Sequence, residues 1–182
     1  MEIFVETERL ILRELLPTDL DGMYELDSDF EVHKYLGNNP IKDKDQLLNI
    51  INFVRQQYVD NGIGRWAITE KLTNKFIGWS GLKFVKELTN NHINFYDLGY
   101  RLIRKYWGQG YAKESAIASL SYGFEIIKLE EIFAAAHIEN NVSNSILNKI
   151  GFQKQETFIY EYGIQNWYKI DKNAWNTIKL KV

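Results

Sequence analysis

The segment that decides the fold is Tyr100–Ser115, which reads YRLIRKYWGQGYAKES. A strand-like pattern ends at Leu102, and from Ala112 onward apolar residues recur at helical spacing. Gly108 and Gly110 lie between the two, where glycine lets the backbone turn tightly and approach a ligand. The first turn of a helix leaves N–H groups unpaired, and the helix dipole favours an anion. The segment therefore predicts a phosphate or pyrophosphate site.

Two other phosphate-binding patterns are incomplete in this segment. Gly108-x-Gly110 lacks the third glycine of a dinucleotide-binding fingerprint, and no Lys-Ser/Thr pair completes a P-loop. No protein-kinase signature is present either, so a nucleotide-binding enzyme such as a kinase is poorly supported. From the glycines alone, a plain strand-to-helix turn remains the alternative.

The rest of the chain predicts a mixed α/β (α+β) sheet of about seven strands flanked by about four helices. The expected strands are Arg9–Glu14, Trp66–Glu70, Phe76–Val85, Ile93–Leu102, Glu131–Ile138, Phe152–Tyr162 and Gln165–Asp171. The expected helices span residues 17–28, 43–61, 112–124 and, beginning at Asn140 or Asn141, continue to Lys149. Because a helix connects Ile93–Leu102 to Glu131–Ile138, these two strands form a βαβ unit and should run parallel.

Composition narrows the function classes. The chain has 182 residues, 45% hydrophobic and 25% charged, which suits a single domain over residues 1–182. A formal net charge of −2 offers no basic surface for nucleic acid. Absence of cysteine excludes disulfides, thiolate metal sites and a cysteine nucleophile. The histidines His33, His92 and His137 are scattered without ligand spacing, so we expect no metal.

The sequence also predicts where the protein resides. No apolar run approaches the ~18 residues that a membrane span needs. The charged residues 1–14 lack the apolar core of a secretory signal. We therefore expect a cytoplasmic protein with no membrane contact.

Four motifs in chain order resemble those of the GNAT acetyltransferases. The segment Trp107–Ala112 (WGQGYA) is similar to the family's acetyl-CoA-binding motif, in the form with tryptophan at the first position that is usual in the RimJ/RimL branch. Thr7–Arg13 (TERLILR), Ile77–Leu82 (IGWSGL) and Asn140-x-x-Ser143 before Gly151-Phe152 match that branch as well. The resemblance spans most of the chain and implies the GNAT fold.

The resemblance implies acetyl-CoA as the co-substrate and assigns its contacts. The pyrophosphate would lie on backbone amides, and the pantetheine arm would bond to the preceding strand. The residues implied in cofactor binding are Tyr100, Leu102, Lys105, Trp107, Gly108, Gln109, Gly110, Tyr111, Ala112 and Asn140. Solvated surface charge is the alternative for Lys105, and Asn140 would also serve as a helix cap.

Catalysis is expected to be direct attack of a primary amine on the acetyl thioester. By resemblance, Ser143 would protonate the departing thiolate, although a serine at a helix start is also a capping residue. A base must accept the amine proton, and the candidates are Glu161, on the penultimate strand, and Asp97 beside the thioester. Both carboxylates also have an ordinary surface interpretation.

The sequence does not identify the amine that accepts the acetyl group. The RimJ/RimL resemblance implies a protein N-terminal amine, for example on a ribosomal protein, whereas similar proteins acetylate small-molecule amines. A non-catalytic acyl-CoA-binding sensor or scaffold is the alternative, because it would keep the glycine turn without an acid and a base. The resemblance is compatible with a homodimer, although no sequence feature demands one.

Overall fold

The computed structural model describes residues 2–180, and its eight strands form one sheet. The strands are β1 (Ile3–Glu6), β2 (Leu10–Arg13), β3 (Trp66–Glu70), β4 (Lys75–Val85), β5 (Phe95–Leu102), β6 (Glu131–His137), β7 (Gln153–Tyr160) and β8 (Gly163–Asp171). Their order in the sheet is β1-β2-β3-β4-β5-β6-β8-β7. Only β5 and β6 run parallel, and the other neighbours are antiparallel. The predicted mixed sheet with one parallel unit is confirmed.

Helices pack on both faces of this sheet. They are α1 (Leu20–Asp27), α2 (Phe30–His33), α3 (Lys44–Asn61), α4 (Tyr111–Ser121), α5 (Asn141–Lys149) and α6 (Lys172–Ile178). The connection β5-α4-β6 is the predicted βαβ unit. None of the helices within residues 2–180 combines the length and apolar character that crossing a membrane requires.

Two clusters of buried apolar side chains hold the layers together. Along β3, Trp66 and Ile68 point into one cluster and Ala67 points into the other, so the clusters lie on opposite faces. The first cluster buries α4, α5 and α6 through residues such as Leu120 and Trp175. The second buries α1, α2 and α3 against the other face. The sheet therefore separates an α4 face from an α1–α3 face.

Within residues 2–180, the structure has one strand and two α-helices more than the sequence predicted. The extra strand, β1, has only four residues and pairs with the outer edge of β2. The helix α2 is a single turn of four residues, too short to show a helical period. The helix α6 begins directly after β8, where the Asp171 carboxylate accepts a hydrogen bond from the Ala174 N–H at 2.9 Å.

The predicted strand Phe152–Tyr162 is also shorter than expected. It begins at Gln153 and ends at Tyr160, and residues 161–162 form a tight turn. Gly163, at φ 111°, then begins β8. Glu161 therefore lies in the β7–β8 turn and not on a strand, which corrects its predicted place.

Candidate active site

The parallel strands β5 and β6 separate at one end of the sheet. In the described residues, the two strands pair at Asp97 and Phe133 alone. The N–H of Ile103 donates to the carbonyl of Ile77 on β4 at 3.0 Å. Because bonding direction alternates along an antiparallel strand, the N–H groups of Tyr100 and Leu102 point to the opposite edge, toward β6. Within residues 2–180, Tyr100 and Leu102 have no strand partner on that edge, which borders the gap between β5 and β6.

The glycine turn, Trp107–Gly110, continues from this open edge into α4. Gly108 and Gly110 adopt φ values of 72° and 83°, a left-handed conformation that favours glycine. The first amide to bond backward within α4 is that of Glu114, to the Gly110 carbonyl at 3.0 Å. Within residues 2–180, the N–H groups of residues 108–113 have no backbone acceptor. They form a row of free donors at the positive end of a helix dipole.

Side chains around the glycine turn fix its position. The Trp107 indole N–H donates to the Leu102 carbonyl at 2.8 Å, which ties the turn to the end of β5. The Gln109 amide donates to the Lys105 carbonyl at 3.0 Å. The Lys105 ammonium pairs with Glu25 on α1 at 2.6 Å, so this predicted phosphate ligand is engaged elsewhere. Its role toward a phosphate stays a prediction.

The start of α5 brings Asn140 and Ser143 to the end of β5, where Ser143 contacts Tyr100. Asn140 is the N-cap, and its side-chain oxygen accepts the Ser143 backbone N–H at 3.1 Å. The Ser143 hydroxyl lies 3.1 Å from the phenol oxygen of Tyr100. Burial raises the pKa of Tyr100 to about 12, so its phenol stays protonated at neutral pH. The cap uses the backbone of Ser143, which leaves its hydroxyl available for chemistry.

Asn144 anchors the same helix turn to the sheet. Its amide N–H groups donate to the carbonyls of His137 at 2.9 Å and Asn140 at 2.8 Å. Its side-chain oxygen accepts from Asn166 and Tyr168 on β8, both at 2.8 Å. No motif in the sequence marks Asn144, because its partners Asn166 and Tyr168 come from a distant strand. This network holds Ser143 at a fixed place beside Tyr100.

The two predicted bases lie in different surroundings. The Asp97 carboxylate forms an ion pair with Arg65, whose guanidinium also donates to the Asp97 carbonyl at 2.5 Å and to the Gly81 carbonyl. Burial raises the pKa of Asp97 above its usual 3.8, although Arg65 opposes that change. Glu161 is exposed in the β7–β8 turn beside Tyr162. Burial raises the pKa of Tyr160 on β7, and the charges of Glu161 and Asp97 raise it further, so both carboxylates lie in the neighbourhood of that side chain.

A pocket of about 450 Å³ opens on the α1–α3 face, where β6 ends. We call it the α2 pocket, and its walls are Phe30, Glu31, Lys34, Tyr35, Gly37, Asn38, His137, Glu139 and Tyr162. The His137 ring stacks on Tyr35 with centroids 5.4 Å apart. A Cβ at Gly37 would lie 2.7 Å from the Tyr162 ring, so glycine there lets that ring approach. Glu31 and Glu139 give the pocket two exposed carboxylates.

A buried charge cluster supports the α2 pocket. Asp27, at the end of α1, is 3% exposed and pairs with Arg101 on β5 at 2.5 Å. The His33 ring nitrogen Nε2 lies 3.5 Å from the same carboxylate. Burial would raise the pKa of Asp27, but His33 and Arg101 together lower it below 3.8. The ionised Asp27 therefore fastens the α1–α2 segment to β5.

Metal-ligand residues do not cluster in this site. Within residues 2–180, no group of three or more His, Cys, Asp or Glu side chains is placed to hold a metal ion. The polar groups that the site offers are backbone amides, hydroxyl groups and separated carboxylates. Such groups suit an anionic ligand beside a cationic one.

Known proteins share this architecture. Residues 9–153 match the family model described as Acetyltransferase (GNAT) domain. The chain is 31% identical to Uncharacterized N-acetyltransferase YoaA of Bacillus subtilis (strain 168), over 96% of each chain. An acetyltransferase (GNAT family) structure from Bacillus anthracis superposes with a TM-score of 0.77 at 26% identity, covering 95% of this chain and 99% of that one.

A second solved structure shares the fold at lower identity. Spermidine N-acetyltransferase from Vibrio cholerae, in complex with CoA and spermine, has a TM-score of 0.76 at 20% identity. The match covers 93% of this chain and 99% of that one. The family match, the relatives and the fold agree with the geometry of the glycine turn, and we conclude that the chain belongs to the acetyltransferase (GNAT) family and is an acetyltransferase.

Proposed function

We propose that the protein transfers an acetyl group from acetyl-CoA directly to a primary amine. The observation that carries this proposal is the row of free N–H groups at residues 108–113, continuous with the open edge of β5. Such a row suits a pyrophosphate, and the strand edge suits the amides of a pantetheine arm. The Vibrio cholerae neighbour was solved with CoA, which agrees with this assignment.

The reaction would take place in the gap between β5 and β6. The amine nitrogen attacks the thioester carbonyl, a carbon–nitrogen bond forms, and the carbon–sulfur bond breaks. The Leu102 N–H, pointing into the gap, is the candidate donor to the carbonyl oxygen as negative charge develops there. The main gain comes from holding the two substrates in a reactive orientation.

Ser143 would supply the proton that the departing thiolate takes up. Its hydroxyl lies 3.1 Å from the phenol oxygen of Tyr100, and either group can donate in this contact. Burial raises the pKa of Tyr100 to about 12, so the phenol keeps its proton. A donor at Tyr100 lets the Ser143 oxygen accept one bond and direct its own proton toward the sulfur. Tyr100 thereby supports Ser143 in the proposed role.

The amine proton would leave through a carboxylate or through water. Of the two predicted bases, Glu161 is the better candidate, because the carboxylate of Asp97 is bound by Arg65. Glu161 adjoins Tyr162 on the wall of the α2 pocket. Its exposure connects it to solvent, where the proton is released.

The α2 pocket would receive the acceptor. A primary amine is protonated at neutral pH, and the exposed carboxylates of Glu31 and Glu139 attract that charge. The RimJ/RimL resemblance favours a protein N-terminal amine, whereas the neighbour solved with spermine favours a small polyamine. Both acceptors share a cationic amine, which is the chemistry that we propose for this pocket.

Calorimetric titration with acetyl-CoA tests the proposal first, with ATP and NAD as controls. Selective binding of acetyl-CoA would support it, and absence of binding would overturn it. Thiol release is then measured with spermidine and with a peptide that has a free N-terminus, and the same peptide with an acetylated N-terminus is the control. Binding without turnover of any amine would favour the non-catalytic acyl-CoA-binding module.

A further inference from the structure

The motif Thr7–Arg13 contains a residue that reaches the glycine turn from the other end of the chain. Arg9, between β1 and β2, directs its guanidinium to α4. Its Nε and Nη2 atoms bind the carboxylate of Glu114 at 2.7 and 2.6 Å. Its Nη1 atom donates to the backbone carbonyl of Gln109, inside the turn, at 2.9 Å. The guanidinium also lies 4.4 Å from the ring centroid of Tyr111.

The bond to the Gln109 carbonyl sets the direction of the next amide. In a trans peptide unit the C=O and the N–H point in opposite directions. A Gln109 carbonyl held on Arg9 therefore turns the Gly110 N–H away from Arg9, to the side of the free donors. Little else surrounds Gly110, since a Cβ built there would have only Arg9 nearby, at 3.4 Å. Arg9 is the side chain that fixes this peptide.

Arg9 is itself held in place by a closed network. The Thr7 hydroxyl donates to Glu114 at 2.6 Å, and the Arg9 backbone N–H donates to the same carboxylate oxygen at 3.1 Å. The Leu10 N–H in turn donates to the Thr7 hydroxyl at 2.9 Å. The first two of these bonds fasten the first turn of α4 to the segment between β1 and β2, and the third holds the Thr7 hydroxyl in place. An ordinary exposed ion pair would not hold Arg9 and Glu114 in one fixed arrangement.

We propose that Arg9 is a positioning residue that holds the glycine turn in its anion-binding conformation. The inference rests on the proposed function, because it concerns the turn assigned to acetyl-CoA. It gives a role to the motif Thr7–Arg13, which the sequence alone left without one. A simple cation near the phosphates would act by charge, whereas Arg9 acts through the fork that joins Glu114 to Gln109.

The substitution Arg9→Lys separates these two roles. Lysine keeps the positive charge but has no planar fork to bind Glu114 and the Gln109 carbonyl together. We expect the KM for acetyl-CoA to rise about tenfold, with kcat and the KM for the amine unchanged. Arg9→Gln should raise it at least as much. Thermal melts of both variants report whether they fold.

Arg55→Lys is the matched control. Arg55 also donates to a backbone carbonyl, that of Leu15 at 2.9 Å, and lies 3.9 Å from Glu14. It contacts the far end of β2 and not the glycine turn, so its variant should keep the wild-type KM for acetyl-CoA. An unchanged KM in Arg9→Lys would overturn the inference, with or without a fall in melting temperature. Absence of acetyl-CoA binding by the wild-type protein would overturn the proposed function as well.

Discussion

The glycine turn and the α2 pocket are built in opposite ways. The turn presents backbone N–H groups from one short run of the chain, residues 108–113. The α2 pocket presents side chains from three separate segments: α2 with the loop that follows it, the end of β6, and the β7–β8 turn. A backbone site depends on the conformation of its peptides, whereas a side-chain site depends on how distant segments pack.

This difference predicts how each region responds to substitution. In the glycine turn, a new side chain or a shift of one peptide removes donors that no neighbour replaces. In the α2 pocket, each side chain contributes part of a shape and a charge that several segments share. Substitutions in the turn should therefore alter cofactor affinity strongly, while those in the pocket should alter the amine KM in smaller steps.

We expect the largest effect from a substitution at Ser143, between the glycine turn and the α2 pocket. Ser143→Ala should lower kcat about a hundredfold with little change in the KM for acetyl-CoA, because the proposed proton donor is lost. The cap bond from the Ser143 N–H to Asn140 remains in this variant. Steady-state kinetics with thiol-release detection measures the change.

The control for this variant is Ser145→Ala. Ser145 is half-buried in the same helix and lies two residues further along. It should keep wild-type kinetics. A variant Ser143→Ala with unaltered kcat and a lower melting temperature would show that Ser143 only stabilises the helix start.

Gly110→Asp tests the glycine turn directly. A Cβ at Gly110 would lie 3.4 Å from the Arg9 guanidinium, so the new carboxylate would compete with the Gln109 carbonyl for Arg9. It would also add negative charge to the turn, where repulsion between close charges amounts to ~1 kcal/mol for each phosphate in water. We expect acetyl-CoA affinity to fall about thirtyfold by calorimetry.

Gly62→Asp separates the effect of charge from that of backbone strain. Gly62, which follows α3, has φ 69° and open space around its Cβ position, so the strain is similar. Its variant should lose stability and keep its affinity for acetyl-CoA. An equal loss of affinity in both variants would mean that strain spreads through the fold and that the turn has no special role.

The sequence was informative where the signal is local. The glycines at 108 and 110 and the cap at Asn140 act on their own neighbours, so reading them in order was sufficient to place both helix starts. The partners of Lys105 and Asp97, by contrast, are Glu25 and Arg65, which folding brings from distant positions. No spacing in the sequence indicates such pairs.

The α2 pocket was missed for the same reason. Its walls include α2, a single turn without a readable period, and Tyr162, which was placed on a strand. His137 was expected near the end of a strand, but its stacking on Tyr35 depends on tertiary packing. The α2 pocket therefore required the structure, whereas the position of the glycine turn did not.

Asp27→Asn should weaken the support of the α2 pocket. Removing one partner of a buried ion pair with Arg101 is expected to lower the free energy of unfolding by about 2–3 kcal/mol at neutral pH. The folded-state pKa of Asp27 is lowered, so its stabilisation is present above the unfolded pKa and is lost as pH falls through the folded value. Urea denaturation should show the gap between wild type and variant closing below about pH 4.

Kinetics of the same variant connect this ion pair to the pocket. The KM for the amine should rise more than the KM for acetyl-CoA, because α2 follows directly after Asp27. Asp21→Asn is the control, since Asp21 lies on the same helix and pairs with Lys44 at 2.6 Å while 87% exposed. It should change neither stability nor kinetics. Equal rises in both KM values for Asp27→Asn would contradict the separation of the two regions.

We expect the smallest effect from removing negative charge from the α2 pocket. The double substitution Glu31→Gln with Glu139→Gln removes two exposed carboxylates without changing their shape. Because water and salt screen exposed charges, the KM for a cationic amine should rise only about threefold, and the rise should shrink at high ionic strength. Glu130→Gln, at the opposite end of β6 and 80% exposed, should have no effect. A salt-independent change, or an equal change in the KM for acetyl-CoA, would show that these carboxylates do not attract the acceptor.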